Sequence, residues 1–351
     1  MIKLLIYLVV IMGIILIARI IRIFELASVL KGDNANDVNE KDNKTNSLLI
    51  LTFGIAFFAF FIYCIYAFKK FMLPEAASEH GVAIDNMFNI TFYVITFVFF
   101  VTHSILFYFC YKYYFRKENK AFHYSHNDKL EVIWTAIPTV VLTALIIYGI
   151  GTWNKITSPA PEEAMVVELY AKQFDWTARF SGADNKLGAS GFRLIDGANP
   201  LGVDTSDVTS HDDVIVRNEF HLPVNKPVVF KFHSRDVIHS AYMPHFRAQM
   251  NCVPGMTTQF HFVPTFTTQQ MREKTGNEKF DFLLLCNKIC GASHYNMQMN
   301  IVVESEADFK KWLAEKKPMY AELRGGEAVP MAADSAKVVP VAAKDSSSVK
   351  L

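Results

Sequence analysis

The chain has 351 residues, of which 51% are hydrophobic, and a formal net charge of +1. This charge balance, without a basic patch that contains aromatic residues, argues against nucleic acid as a partner. The five cysteines are an odd and low number, which excludes a framework of several disulfides.

Four apolar stretches occupy the first part of the chain, at about 3–24, 47–68, 91–114 and 131–152. A bilayer core needs roughly 20 apolar residues in helical form, so each stretch predicts a transmembrane helix. Pro138 lies in the last stretch, and a membrane helix tolerates a proline there.

The charges of the connecting loops predict the orientation of these helices. The loop at 115–129 is basic, which is typical of the cytoplasmic side, and the loop at 72–90 has no Lys or Arg. Arg19 and Arg22 lie at the far end of the first stretch, which lacks a clear cleavage site, so we expect a retained helix rather than a signal peptide. Four spans place residues 154 onward outside a bacterial-type inner membrane, whereas cleavage of the first would place them inside, against both loop charges.

The pattern changes at about residue 165 to short runs rich in β-branched and aromatic residues. Examples are "MVVELYA", "DVIVRNEFHLP", "PVVFKFHS", "TTQFHFVP", "KFDFLLL" and "MNIVVES", separated by turn sequences such as "SGADNKLGASG" and "VPGM". This spacing predicts an all-β sandwich up to about residue 305, followed by a short helix at about 305–317.

These patterns predict four regions. Residues 1–71 carry two helices and a cytoplasmic loop, and residues 72–153 form a transmembrane hairpin. Residues 154–317 form an extracytoplasmic β-domain. Residues 318–351 are rich in Ala, Val, Ser and Lys, which predicts a poorly ordered extension.

The stretch "LLLCNKICGASHYNMQM" (283–299) carries the strongest chemical signal. Cys286 and Cys290 are followed by His294 and Met297. Zinc sites do not usually use methionine, whereas thiolate, thioether and imidazole are soft ligands that suit copper. A single blue-copper centre uses one cysteine, so the second cysteine indicates two coppers bridged by two thiolates.

A copper pair of this kind needs a second imidazole, and "SRDVIHSAYMP" (234–244) offers His239 at the end of a β-run. A Cys-x3-Cys pair by itself is as often a structural or redox pair. Isolated residues such as His221 or Met299 are more often surface or packing residues. The combined pattern, with Asp-x-x-His upstream, favours the metal site.

Over residues 90–317 the sequence resembles subunit II of haem-copper cytochrome c oxidase. The resemblance rests on several motifs in the same order: "HNDKLEVIWTAIPTVVL" (126–142), "AKQFDWTARF" (171–180), "NEFHLPVNKPVVFKFHSRDVIHSAYMP" (218–244), "CVPGM" (252–256) and "CNKICGASHYNM" (286–297). It implies N-terminal transmembrane helices followed by an all-β, cupredoxin-like sandwich. The first two spans and the tail lie outside it.

The resemblance also implies a dinuclear copper centre, CuA, that takes electrons from a cytochrome c. The electrons pass to haem in subunit I, which holds the haems and CuB, where oxygen is reduced to water and protons are pumped. Subunits I and III and membrane lipid are the implied partners. The implied copper ligands are His239, Cys286, Cys290, His294 and Met297, with the backbone carbonyl of Lys288 as a further ligand.

Two further residues gain roles only through the resemblance. Glu131 matches a glutamate at the mouth of a proton-uptake pathway, although it is also explained as an interfacial carboxylate stabilised by a helix N-terminus. Trp176 belongs to the aromatic cluster at which electrons enter the subunit. The family often has Trp-x-Trp there, and here Phe174 replaces the first tryptophan.

Lys288 departs from the family, which usually has a glutamate that helps to hold magnesium against subunit I. A lysine ammonium has no acceptor lone pair, so a magnesium site is doubtful. We expect the ammonium of Lys288 to occupy the place of the divalent ion. The β-domain also has roughly balanced charge, which gives a weak field for steering a free cationic protein. This predicts a membrane-tethered or complex-bound cytochrome c as donor.

Three other classes of protein share part of this pattern. Quinol oxidase subunit II has the same fold but lacks the copper ligands. A membrane-anchored copper carrier would present exposed, exchangeable ligands for one copper. A reductase of the nitrous-oxide type shares CuA, but the membrane hairpin disfavours it.

Overall fold

The structure is a computed structural model that describes residues 2–30 and 39–323. Its described residues include four long apolar helices, each long enough to cross a membrane: α1 (Ile2–Leu30), α2 (Glu40–Phe68), α3 (Glu79–Lys112) and α4 (Asp128–Ile156). The four predicted spans are therefore confirmed as helices. The helices extend beyond the apolar stretches because polar residues continue them, as where the Asn39 side chain accepts a hydrogen bond from Lys41 N–H at the start of α2.

The chain divides into two compact units, the first formed by residues up to 72 together with 91–139. In this unit, α2 and α3 pack through aromatic rings, with ring centroids 5.0 Å apart for Phe58 and Phe100 and 4.9 Å apart for Phe61 and Phe99. Gly54 allows a close approach, because a Cβ at this position would lie 2.5 Å from the ring of Phe107. Both pairs are tilted, with interplanar angles of 36° and 33°, and ring contacts at these separations add to the stabilisation from buried area.

The second unit contains residues 73–90 and 140 onward, and most of it is a sandwich of two five-stranded sheets. The first sheet has the order β3-β2-β1-β5-β8 and the second β4-β10-β9-β6-β7. The predicted all-β sandwich is therefore confirmed. The strands are β1 (Met165–Lys172), β2 (Asp175–Phe180), β3 (Val214–Arg217), β4 (Glu219–Pro223), β5 (Val228–Ser234), β6 (His239–Met243), β7 (Ala248–Cys252), β8 (Thr258–Phe262), β9 (Phe282–Cys286) and β10 (Gln298–Glu304).

The core lies between the two sheets and is built from alternate residues of the strands. In β10, for example, Met299, Ile301 and Val303 are buried and their neighbours are not. The run "DVIVRNEFHLP" forms two strands rather than one, because Asn218 between them has φ 70°. β3 and β4 consequently pair in different sheets.

The described part of the second unit also contains three short α-helices: α5 (Thr268–Thr275), α6 (Glu306–Ala314) and α7 (Met319–Leu323). The predicted helix at 305–317 corresponds to α6. The predicted extension differs at its start, because α7 is helical and Met319 is buried beside Leu201 and Val203. The rest of that predicted extension, 324–351, lies outside the described residues.

The segment 73–90 is held to the β-sandwich by polar contacts within the second unit. The guanidinium of Arg247 donates to both carboxylate oxygens of Asp85, each at 2.8 Å. The buried hydroxyl of Ser78 donates to the carbonyl of Phe246 at 2.7 Å. The N-terminal end of α3 therefore belongs structurally with the sandwich.

Candidate metal centre

The candidate metal ligands come together at one edge of the second sheet. His239 is the first residue of β6 and Cys286 the last of β9, and the two strands pair with Ala241 opposite Cys286. Cys290 and the remaining candidates, His294 and Met297, lie on the connection from β9 to β10. The pairing of β6 with β9 therefore brings His239 next to Cys286, although the two residues are 47 positions apart in the chain.

The donor atoms form a compact cluster of two sulfurs with groups on either side. The Sγ atoms of Cys286 and Cys290 are 3.8 Å apart. His239 Nδ1 lies 3.8 Å from the first sulfur, and the carbonyl oxygen of Lys288 lies 3.2 Å from it. His294 Nδ1 lies 3.6 Å and Met297 Sδ 3.9 Å from the second sulfur. The six predicted groups are thus brought together.

The chemistry of this donor set fits a pair of soft metal ions. The sulfur separation is far beyond the ~2.05 Å of a disulfide, and both cysteines are free. Metal–thiolate bonds are about 2.3 Å long, so two sulfurs 3.8 Å apart can share bound metals without large movement. Each sulfur has an imidazole nitrogen near it, His239 Nδ1 for Cys286 and His294 Nδ1 for Cys290, so each of two bound metals would have one nitrogen ligand available.

The centre is partly buried, with Cys286 and His294 half-buried, and this burial affects its protonation. His239 is fully buried, and Cys290 and Met297 are nearly so. Burial, with the thiol of Cys286 beside it, raises the pKa of Cys290 to about 11. A metal must therefore displace the thiol protons when it binds, which makes uptake pH-dependent.

Asp236 orients His239 from outside the donor set. One carboxylate oxygen accepts hydrogen bonds from His239 Nε2 at 2.8 Å and from the Val237 N–H at 2.7 Å. The other accepts from the Gln173 N–H at 2.6 Å. Burial alone would raise the pKa of Asp236, but these three bonds outweigh it and lower that pKa. The ionised carboxylate fixes the proton on Nε2 and directs Nδ1 to the sulfurs.

Lys288 occupies the exposed tip of the ligand loop. Its backbone carbonyl oxygen lies 3.2 Å from Cys286 Sγ, although Lys288 as a whole is exposed. Ile289 next to it is 86% exposed. The two predicted functions of this residue, a carbonyl ligand and an ammonium in the place of a divalent ion, therefore involve separate groups.

Trp176 lies beneath the site rather than on the surface. It is fully buried, and its ring stands edge-on to His239 with centroids 6.3 Å apart. Its indole N–H has no acceptor among the described residues. Phe174 is half-buried. A function of Trp176 in electron transfer thus stays a prediction, and burial restricts it to an inner position beside His239.

Glu131 lies in the first turn of α4, far in sequence from these loops. Asn127 precedes that turn, and its side-chain oxygen accepts from the Leu130 N–H at 3.1 Å. The exposed Glu131 carboxylate lies 4.0 Å from His126 Nδ1. This position suits both interpretations of Glu131, proton uptake and stabilisation by the helix N-terminus.

Sequence reasoning missed three residues that shape the site. Asp236 was visible only as the first member of Asp-x-x-His. Gln173 gave no signal, because its contacts are with loops distant in sequence. Gly291 has φ 145°, and a Cβ there would lie 2.8 Å from both Gln173 Nε2 and the ring of Phe174.

The sequence matches two family profiles, described as the transmembrane domain of cytochrome c oxidase subunit II over residues 66–151 and its periplasmic domain over residues 165–306. A similar protein is the alternative cytochrome c oxidase subunit 2 of Bradyrhizobium diazoefficiens, which is 36% identical over 248 residues, 70% of this chain and 84% of that protein. The cytochrome c oxidase subunit 2 of Thermostichus vulcanus is 30% identical, over 69% of this chain and 77% of that protein.

Among solved structures, the periplasmic domain of subunit II of cytochrome oxidase (CoxB) from Bradyrhizobium japonicum aligns with 24% identity and a TM-score of 0.30. The alignment covers 44% of this chain and 95% of that domain. The two family profiles and the 36% identical relative together decide the classification. This chain belongs to the cytochrome c oxidase subunit II family, and it is a subunit of a haem-copper oxidase.

Proposed function

We propose that the chain holds a dinuclear copper centre, CuA, with His239, Cys286, Cys290, His294, Met297 and the Lys288 carbonyl as ligands. A bound copper pair would take one electron from a reduced cytochrome c and pass it to haem in subunit I, where oxygen is reduced to water with proton pumping. The single observation that carries the proposal is the convergence of all six donor groups around two free thiols.

The residues around the donors support electron transfer rather than substrate binding. His239 and Met297 are buried, so a small substrate has no access to them. Asp236 holds His239 in one orientation, and strand pairing fixes the ends of both ligand loops. Ligands held this firmly change position little between oxidation states, which favours fast electron exchange.

The family and the loop charges support a location of this domain on the periplasmic side of an inner membrane. We propose that residues 154 onward lie there and that Glu131 lies at the cytoplasmic side. In that position Glu131 would collect protons for subunit I. Subunit III and the haems and CuB of subunit I complete the proposed assembly.

Rapid mixing tests this function directly. The purified oxidase that contains this chain is mixed with reduced cytochrome c, and copper absorption and haem absorption are followed together. We expect the copper band to bleach before the haem is reduced. Replacement of His294 by Ala should remove the first phase, and the matched change His211→Ala, at a histidine outside the site, should not. Haem reduction before copper bleaching in the wild type would contradict the proposal.

The identity of the donor is tested separately by salt. A membrane-tethered or complex-bound cytochrome c needs little electrostatic steering, because tethering raises its effective concentration. We expect oxidation of the native membrane donor to vary little with ionic strength. Fast turnover of free soluble cytochrome c with a steep salt dependence would contradict this donor assignment.

Lys288 is expected to replace magnesium at the interface with subunit I. An ammonium is a compact cation that donates hydrogen bonds but cannot ligate a metal. The change Lys288→Glu is expected to introduce magnesium binding, measured by substitution with manganese and its paramagnetic resonance signal. A divalent ion bound near residue 288 in the wild-type oxidase would refute this assignment.

A further inference from the structure

Gln173 lies in the turn between β1 and β2, outside the proposed ligand set. It contacts Asp236 in the β5–β6 loop, which leads into His239, and Cys290 in the loop between β9 and β10. We infer that Gln173 is a positioning residue that fixes the β5–β6 loop relative to the loop between β9 and β10. This inference rests on the proposed copper function, and it adds a residue to the machinery of that function.

The first contact uses the backbone of Gln173. Its N–H donates to one oxygen of Asp236 at 2.6 Å, and the other oxygen of Asp236 accepts from His239 Nε2 at 2.8 Å. The turn at Gln173 is therefore joined to His239 through a single carboxylate. A hydrogen bond to an ionised acceptor is stronger than one between neutral groups.

The second contact uses the side chain of Gln173. Its Nε2 donates to the carbonyl of Cys290 at 2.5 Å, 117 residues along the chain. Gly291 makes this approach possible, because a Cβ there would lie 2.8 Å from the same nitrogen. Its φ of 145° is also a conformation that other residues rarely adopt.

Together the two contacts form a hydrogen-bonded path from His239 through Asp236 and Gln173 to Cys290. The path joins two candidate ligands without passing through a metal, so it acts in the metal-free chain as well. Its last bond depends on a side-chain donor. The change Gln173→Glu keeps the shape and the backbone contact but places a carboxylate oxygen against the Cys290 carbonyl, which converts attraction into repulsion.

Amide hydrogen exchange of the metal-free full chain tests, without any copper, whether Gln173 holds the β9–β10 loop in place. The amides of His294 and Met297 are bonded within the ligand loop and report its opening. We expect their exchange to be about 2- to 10-fold faster in Gln173→Ala, the range that one hydrogen bond contributes. Gln173→Glu should exchange faster still.

Copper release from the loaded full chain to a chelator gives the second measurement. Loss of an outer partner of a metal ligand typically weakens binding about 10- to 100-fold, so both Gln173 variants should release copper faster. Gln269→Ala is the matched control, because Gln269 is also exposed and donates to Glu273 within α5. It should leave both measurements unchanged.

The rival explanation is that Gln173, as an exposed residue, contacts the electron donor only. In that case Gln173→Ala would raise the KM for cytochrome c and leave amide exchange and copper release at wild-type rates, and our inference would be wrong. Failure of the wild-type chain to take up copper would refute the proposed function. The exchange rates alone decide whether Gln173 ties the loops together.

Discussion

Two of the polar clusters in the β-sandwich, one around Arg179 and one around Cys286 and Cys290, differ in how their polar groups are satisfied. Around Arg179 the protein supplies both charges: the guanidinium donates to Glu168 at 2.9 Å and to Asp213 at 2.6 Å, and all three side chains are buried. Around Cys286 and Cys290 the protein supplies two thiols, two imidazoles, a thioether and a backbone carbonyl, with neighbouring donor atoms 3.2–3.9 Å apart.

The difference supports the proposal that the cysteine cluster binds a ligand. Buried charges stabilise a fold only when they are paired, and the Arg179 cluster pairs its own. Thiols, imidazoles and a thioether at these distances make weak contacts with one another, because sulfur is a poor hydrogen-bonding atom. A soft cation bound between these groups would stabilise them more than their contacts with one another do. The comparison predicts that substitutions at the cysteine cluster reduce function and that substitutions at the Arg179 cluster reduce stability.

The largest expected effect is at the sulfurs. The change Cys286→Ser should abolish the proposed copper centre and reduce cytochrome c oxidation to background, because a hydroxyl would replace one of the two proposed bridging thiolates. Copper content and steady-state oxidation by the purified oxidase measure this. The matched control is Cys252→Ala, which removes a buried thiol whose pKa is raised to about 12 by burial and which lies outside the cluster. Equal losses in both variants would contradict the assignment.

The second effect is on stability. The change Arg179→Met should lower the free energy of unfolding by about 3–5 kcal/mol, because it leaves two buried carboxylates without their cation. Thermal unfolding of the full chain in detergent, followed by tryptophan fluorescence, measures the loss. The exposed Arg193→Met should stay within about 0.5 kcal/mol. If the Arg179→Met variant remains folded but loses copper, the proposed division between a stabilising cluster and a metal-binding cluster is wrong.

The third effect is a pH dependence of stability that comes from Asp213 in the Arg179 cluster. Burial raises the pKa of Asp213 from 3.8 to about 6, although Arg179 and the Gly188 N–H act to lower it. The folded state therefore keeps the Asp213 carboxyl protonated at pH values where the unfolded state has lost that proton. The stabilisation from this protonation is fully present below pH 3.8 and is lost as the pH rises to about 6.

The variant Asp213→Asn removes the carboxyl group and so isolates the contribution of Asp213 protonation to stability. Its melting temperature should fall less than that of the wild type between pH 4 and pH 6, about the window set by the two pKa values. Parallel curves for the two proteins would show that Asp213 does not titrate in this window.

The smallest effect is expected at Met297. The change Met297→Leu conserves volume and removes a weak ligand, so the copper pair should remain and its reduction potential should rise. A spectroscopic redox titration measures the shift. Met299→Leu, at a buried methionine on β10 outside the donor set, is the control. Complete loss of copper from Met297→Leu would mean that the thioether is an essential ligand.

The sequence predicted the helices, the sandwich and the ligand loop because each depends on local pattern. Five of the six candidate ligand positions lie within the twelve residues 286–297, and the chemistry of their side chains can be read from the sequence without knowledge of the fold. His239 was reached through its β-run and the Asp-x-x-His spacing. The pairing of β6 with β9 is what makes that residue a neighbour of Cys286.

Other features depend on contacts that local pattern does not encode. The division of "DVIVRNEFHLP" between two sheets depends on one positive φ at Asn218, and the burial of Trp176 depends on packing between sheets. Helix α5 was missed because it is short and polar. Its start was nevertheless legible, since Thr267 and Gln270 form a capping box.

The most direct test of the central claim is electron paramagnetic resonance of the purified, copper-loaded full chain, with copper per chain measured on the same sample. We predict two coppers per chain and a seven-line hyperfine pattern, because one unpaired electron is shared equally between two copper nuclei. A four-line pattern with one copper per chain, or no bound copper in properly loaded protein, would contradict the account.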